Sequence, residues 1–512
     1  MPLAAPVQIS AGVRAPHYSD DLLYRIHVTP SGFQLGNVAG TITRTIAVWN
    51  ALFRDVTLLS VGAIGTDGMT LTGHAAPPLT FGALQDRDYT VTISPAGPPA
   101  INASYTWTFS EGSVRLVTFI GNRAIAWTWA PNWEQGITER LEWRTEVLRS
   151  HNAREQRRRL RRGARRIMEL SLLLQGAERQ QFEMALFGWG ARSWALPIWW
   201  DGQAISAPLS IGSTSIAAST TDREFSAGSL ALITTGSTRS EIVEVQSLTG
   251  SLITLARPTV ETWPAGSMLY PAIIAQLDAG VSVERFTGDA SIPRVRFTAL
   301  QSADVAAGAL PMYLGYPVLD SPPLLRASLA ATYERKLSEF DNGTGFPFRE
   351  DEAGIPITSQ THGWLAATRA QKGAVRSLLY LLAGRFGAVW MPTMASDVTI
   401  VADAANAASN IDIANIRYGV YGVQAPGRGH LRIQRRNATV SYHKITGSSE
   451  ISSAVERLSL TPSITPALLS ADALQVSFMQ LNRQRSDAVE IAHFTGESFS
   501  VQTAFEGFRH DL

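Results

Sequence analysis

The sequence predicts a mainly β protein with a sandwich followed by two related β units, and three observations predict it. Apolar and polar residues alternate in short runs broken by Pro, Gly and Asp from about residue 36 to 122. A helix, a glycine, an aromatic strand and a proline follow one another twice, once ahead of Pro197 and once ahead of Pro392. At 512 residues, with 45% hydrophobic and 17% charged, the chain is long enough for roughly three domains of about 150 residues, each with its own core.

Residues 1–35 are read as an N-terminal arm. Residues 36–124 hold runs such as TITRTIAVWNA, DVTLLSVGA, DYTVTIS and ASYTWTF, with turn signals every 8 to 12 residues. That spacing predicts an Ig-like β-sandwich lacking the Cys pair of antibody domains. The chain has no cysteine at all, which excludes disulfides, thiolate nucleophiles and Cys-based metal sites.

Residues 125–302 form the first of the two later units. GAERQQFEMALFGWGA predicts a helix with Phe182, Leu186 and Trp189 on one face. WALPIWW, where Pro197 halts helical structure, reads as a buried strand. If Trp199 and Trp200 share that strand they point to opposite faces, leaving one for a partner. Short strands over about 205–277 predict a small β-barrel insertion, closed by the hairpin GVSVERFTGDASIPRVRFTAL. Residues 303–323, rich in Pro, Gly and Ala, are read as a linker. Residues 324–512 repeat the plan, with Pro392 in the place of Pro197 and a second barrel insertion over about 398–465.

Between residues 154 and 166 eight arginines crowd together: Arg154, Arg157, Arg158, Arg159, Arg161, Arg162, Arg165 and Arg166. Alone they read as a phosphate-binding patch. The net charge of +1 argues against that, as does the scarcity of lysine, which makes Arg the default cation here. A helix would stack like charges at i, i+3 and i+4. A hairpin fits better, with REQRRRLRR as one strand, Gly163 and Ala164 at the bend and RRIMELSLLL returning, projecting toward a neighbouring subunit.

Catalytic signatures are missing: no phosphate loop, no dinucleotide fingerprint, no HExxH, no GxSxG, and no two histidines four residues apart. No cofactor or metal is expected. Glu350, Asp351 and Glu352 form the best acid cluster, but adjacent carboxylates seldom face each other across a sugar, so a solvated loop is expected there. Nine of 13 tryptophans lie between Trp107 and Trp200, which permits sugar stacking as well as packing of a sheet face. The N-terminus carries no signal-peptide pattern, and no apolar run is long enough to span a membrane.

The stretch LEWRTEVLRSHNAREQRRRLRRGARRIMELSLLL, followed by FGWGARSWALPIWWDGQ, resembles tail-tip proteins of long-tailed bacteriophages, the group of distal tail and baseplate hub proteins. The resemblance implies two tail-tube-like β domains, each with one helix, a long hairpin and the small barrel insertion. It implies a non-enzymatic virion protein at the distal end of the tail, made in the host cytoplasm. Its ring would be a trimer with pseudo-sixfold symmetry if both units are tube-like, or a hexamer if only the first is. Partners would be the tube, the tape measure and receptor-binding proteins, with the genome passing through the channel without specific binding. The eight arginines with Trp194, Trp199 and Trp200 are then the candidate inter-subunit contacts. The alternatives are a carbohydrate-binding receptor protein using Trp127 and Trp129, and a glycan-cleaving enzyme using Glu350.

Overall fold

The computed structural model describes residues 19–510, apart from 20–21, 39–40, 96, 99, 302–304, 306–307, 309, 323, 325–330 and 424. Strands make up 52% of the described residues and helices 9%, so the fold is mainly β. The first unit is built from β1 (Ile26–Thr29), β2 (Gly32–Val38), β3 (Ile42–Asn50), β4 (Val56–Ile64), β5 (Met69–Thr72), β6 (Leu79–Phe81), β7 (Asp86–Ile93), β8 (Ala100–Phe109) and β9 (Val114–Ala126). One sheet runs β1-β3-β7-β5, and the other β2-β9-β8-β4-β6. Alternation makes the sandwich: Tyr89, Val91 and Ile93 of β7 turn inward while their neighbours do not. They meet Leu58, Trp107 and Phe119 of the other sheet in a single core.

The expected N-terminal arm is corrected here. Its part before residue 19 lies outside the described residues, but Ile26 and Leu35 sit inside the sandwich core. The reason is a long-range one: β2 lies parallel to β9, pairing Phe33 with Phe119. No local pattern announces such a partner.

The next unit, called the first half below, contains β10 (Ile137–Glu142), β11 (Thr145–Arg149), β12 (Glu155–Arg159), β13 (Arg165–Ser171), β14 (Leu174–Gln175), α1 (Gly176–Trp189) and β15 (Ser193–Pro197). After them come β16 (Gln203–Ala204), β17 (Ser215–Ala217), β18 (Leu230–Gly236), β19 (Arg239–Leu248), β20 (Leu252–Leu255), β21 (Met268–Leu277), β22 (Ser282–Arg285) and β23 (Ala290–Ala299). The second half holds β24 (Met312–Tyr313), β25 (Tyr316–Pro317), β26 (Ala331–Glu334), β27 (Leu337–Phe340), β28 (Phe348–Asp351), β29 (Ile357–Ala366), α2 (Arg369–Leu382) and β30 (Val389–Pro392). It ends with β31 (Ala408–Ala414), α3 (Tyr418–Tyr421), β32 (His430–Arg435), β33 (Val440–Glu450), β34 (Val455–Ile464), β35 (Ala473–Gln484), β36 (Ala488–His493) and β37 (Phe499–Gly507).

The same pairings recur in both halves. β13 joins β10 to β23, and β23 also takes β21 and β22, while β21 takes β15 and β18. In the second half β29 joins β26 to β37, β37 takes β35 and β36, and β35 takes β30 and β32. The inserted strands follow suit, β18-β19-β20-β17 against β32-β33-β34-β31. Each insertion closes over its own core, around Ile216, Val245 and Trp263 in one and Ile413, Ile433 and Leu458 in the other.

The helices differ in how they are fixed. Thr368 caps α2 by accepting from the Gln371 amide, and the left-handed Ala383 ends it. Leu378, Leu379 and Leu382 bury its apolar face. In α1 Phe182 is fully buried, with Leu186 partly so, whereas Trp189 at the end of the expected face is 42% exposed. The stretch read as a linker is also corrected: Tyr313, Val318 and Leu319 are buried, and Trp390 Nε1 donates to the Tyr313 carbonyl at 2.9 Å. Their irregular spacing among Pro and Gly hid them, because they pack as single plugs against the second half.

Candidate functional site at the junction of the two halves

One strand belongs to both halves. β10 pairs on one edge with β13 and on the other with β36, in the register Ile137↔His493, Glu139↔Ile491 and Glu142↔Ala488. The sheet therefore runs unbroken from one half to the other, and the arginine-rich stretch lies beside this seam.

That stretch does not fold as one hairpin bent at Gly163 and Ala164. β12 turns back on the preceding β11, pairing Thr145 with Arg159 and Arg149 with Glu155, while β13 lies on β10. The bend is Ser150–Arg154, where Ala153 is left-handed at φ 63° and the Asn152 carboxamide accepts from Ser150 Oγ at 2.6 Å. Asn152 is the turn signal, and Gly163 and Ala164 lie instead in the connection from β12 to β13.

The eight arginines part company. Arg154, Arg158, Arg159, Arg162 and Arg165 are exposed. Arg157 places its guanidinium 4.5 Å from the ring centre of Phe508, and Arg159 does the same over Phe386. Arg161 donates to the Glu142 carbonyl at 2.8 Å. Glu155, between them, receives Arg483 Nε at 2.7 Å and Arg149 Nε at 2.9 Å. Ala153 packs on Ala353 and Ile355. Phe386, Phe508, Arg483 and Ile355 all belong to the second half, so the hairpin is laid over that half within one chain.

Arg166 is buried, and so are the three tryptophans expected at a subunit contact. Trp194 lies in β15, and Trp199 and Trp200 share a single 3-10 turn, Trp199–Asp201, so strand alternation never separates them. Trp200 stacks on His493 with ring centres 3.7 Å apart. Trp127 and Trp129 are also core residues, which removes them as a sugar platform. Glu350 and Asp351 lie in β28 rather than in a loop, and Glu352 just beyond it bonds Lys336 and His151.

Around Arg166 the two halves are clamped by buried charge. Glu139 of β10 accepts from Arg166 Nε at 2.5 Å, from Arg376 Nη1 and Nη2 at 2.6 and 3.1 Å, and from His493 Nε2 at 2.9 Å. Arg166 makes a forked pair with Glu224 at 2.6 and 2.9 Å, and Arg376 reaches the same carboxylate at 3.3 Å. Burial opposes the charge on Glu139, but Arg166 and Arg376 outweigh it and hold the carboxyl well below the usual carboxylate range. Burial pushes His493 down to about 4 in spite of Glu139, so its neutral ring donates from Nε2. Close by, Lys372 and Arg369 bind Asp201 Oδ1 at 3.1 and 3.3 Å, and burial lowers the Lys372 ammonium.

Glu139, Asp201, Glu224 and His493 carry no local signal, since partners up to 354 residues apart leave no trace in neighbouring residues. Lys372 and Arg376 did leave one, two cations at i and i+4 on the face of α2 that packs inward. A cleft of about 330 Å³ borders the clamp, but the Asp201, Glu224, Lys372 and Arg376 that line it are paired with one another or with Arg166 and Glu139. Among the described residues no group of three or more His, Asp or Glu could hold a metal ion, and no helix is long and apolar enough to cross a membrane. As built, the site locks one half to the other.

No protein-family description matches the chain, and no curated protein matches it.

Proposed function

We propose that the chain is a non-enzymatic structural protein of the tail tip of a long-tailed bacteriophage, forming a ring that joins the tail tube to the tip and host-binding proteins. The supporting observation is the edge-to-edge pairing of β10 with β36, which joins two units of the same strand plan by a contact that repetition around an axis would close. Each half is taken as a tail-tube-like unit, and the N-terminal sandwich as an Ig-like domain that decorates the ring or docks another tip protein. Two units per chain favour a trimer with pseudo-sixfold symmetry over a hexamer. With a net charge of +1, the ring would let the genome pass without holding it.

Light scattering together with negative-stain microscopy of the purified protein tests the reading. The expected result is a three-chain particle with a central hole and six lobes. A protein that stays monomeric at high concentration overturns it.

A further inference from the structure

The repeat can be followed residue by residue across the sheets. In the first half one row reads Glu139, Met168, Phe297, Leu277, and in the second the matching row reads Ala331, Gln360, Phe505, Gln484. The hairpins agree with it: Thr145↔Arg159 closes one and Leu337↔Asp351 the other, with equal lengths. On the far side Val283 pairs with Pro293 as Ile491 pairs with Val501. Ala331 therefore stands where Glu139 does, and Val283 where Ile491 does.

Within the chain Glu139 is paired with Ile491. Its image, Ala331 with Val283, cannot form inside one molecule that already uses β10 and β36 as its seam. Both edges are open among the described residues: β26 pairs only with β29, and β22 only with β23. All four residues of β26 are exposed, as are Ser282, Glu284 and Arg285 of β22. Open edges of this kind are templates for another strand.

Resting on the ring reading above, we propose that the occupant is a second copy of this chain, β26 of one copy adding antiparallel to β22 of the next. The register is Ala331↔Val283, Thr332↔Ser282, Tyr333↔Val281 and Glu334↔Gly280. The hairpin β27–β28 then lies over the neighbour's first half as β11–β12 lies over the second. Arg349 comes to Leu300 as Arg157 comes to Phe508, and Leu300 is 50% exposed and waiting for a cover. The contact is heterologous, so each copy keeps one open edge until a ring closes.

This seam differs chemically from the one inside the chain. At the places of Lys372, Arg376 and His493 the first half presents Arg179, Glu183 and Arg285, already paired at 3.1 Å on both sides of Glu183. Ala331 and Thr358 take the places of Glu139 and Arg166, so no charge clamp is buried there. Chains fold with the strong seam and meet through the weaker one. The other face of the second hairpin carries Phe340, Phe346 and Phe348, whose counterparts Leu148, Arg154 and Gln156 stay exposed when the first hairpin is docked, so this contact leaves them uncovered.

The absence of cysteine gives a clean test. The double variants Thr332→Cys/Ser282→Cys, both exposed, and Ala331→Cys/Val283→Cys should form disulfide-linked multiples of the chain on oxidation, reversed by thiol. The off-register pair Ala331→Cys/Arg285→Cys should remain unlinked. Rings seen in the microscope with no link at either in-register pair would overturn the register and leave the ring reading standing. A wild type that never assembles overturns both, and linkage of the off-register pair alone overturns the strand alignment.

Discussion

Glu139 and Arg376 lie 237 residues apart and meet through two hydrogen bonds, at 2.6 and 3.1 Å, across the boundary between the halves. Both side chains are buried, and Arg166 approaches the same carboxylate from the other side. Removing the carboxylate would leave two buried guanidiniums sharing the single carboxylate of Glu224, one positive charge in excess. Glu139→Ala is expected to cost about 3–5 kcal/mol in chemical denaturation, since an uncompensated buried charge is left behind. Glu490→Ala, which deletes an exposed partner of Arg140, is expected to change stability by no more than about 1 kcal/mol. Equal effects from the two would sink the clamp.

Acid should weaken the fold through two buried histidines. Burial lowers both His493 and His362 from 6.5 to about 4. Between those values the unfolded chain binds protons that the folded chain refuses. Stability is therefore complete above pH 6.5, falls as pH drops through the window, and has lost the full contribution near pH 4. Each ring accounts for a loss on the order of 3 kcal/mol. Melting temperatures measured across the window should fall in the wild type and fall less in His493→Gln, whose amide can still donate to Glu139. A flat profile in the wild type contradicts this account.

The arginines of the first hairpin now carry a different expectation for each subset. Arg157→Glu, Arg159→Glu and Arg161→Glu together would remove two ring contacts and a carbonyl bond, freeing β11–β12 from the second half. Hydrogen exchange in residues 145–159 should rise, and protease should cut near Asn152. Reversing the exposed Arg158 and Arg162 should leave exchange there unchanged.

Trp200 stacks on the ring of His493, and the cations Arg166 and Lys372 lie 5.5 and 5.7 Å from its centre. Trp200→Ala should cost about 3–5 kcal/mol, the range for a buried aromatic truncated to a methyl group. Read by denaturation, a loss under about 1 kcal/mol would mean that the cleft beside it absorbs the cavity.

Some of this architecture was legible in the sequence and some was not, for physical reasons. Alternation reveals the strands of the sandwich, and Pro197 and Pro392 mark the same strand end in both halves, because a proline has no amide to carry the ladder or a helix onward. Strand partners were hidden. The sequence pattern pairs β12 with β13, whereas the fold pairs it with β11, since register is decided by the turn and the turn is carried by Asn152 and the left-handed Ala153. Trp199 and Trp200 alternate only if they share a strand, and they occupy a 3-10 turn instead. The buried charges were invisible because each is tolerated only beside partners that the fold brings from far away.

β9 begins in the sandwich and ends, at Ala124–Ala126, alongside Ser193–Ala195 of β15 in parallel. Most domains hang from their neighbours by a flexible tether. Here the connection is itself a rung-bearing strand, so a pull along β9 loads its hydrogen bonds to β8 and β15 together in shear instead of opening them one at a time. The sandwich thus shares a strand with the first half, and a load on it passes through strand pairing and not through a linker.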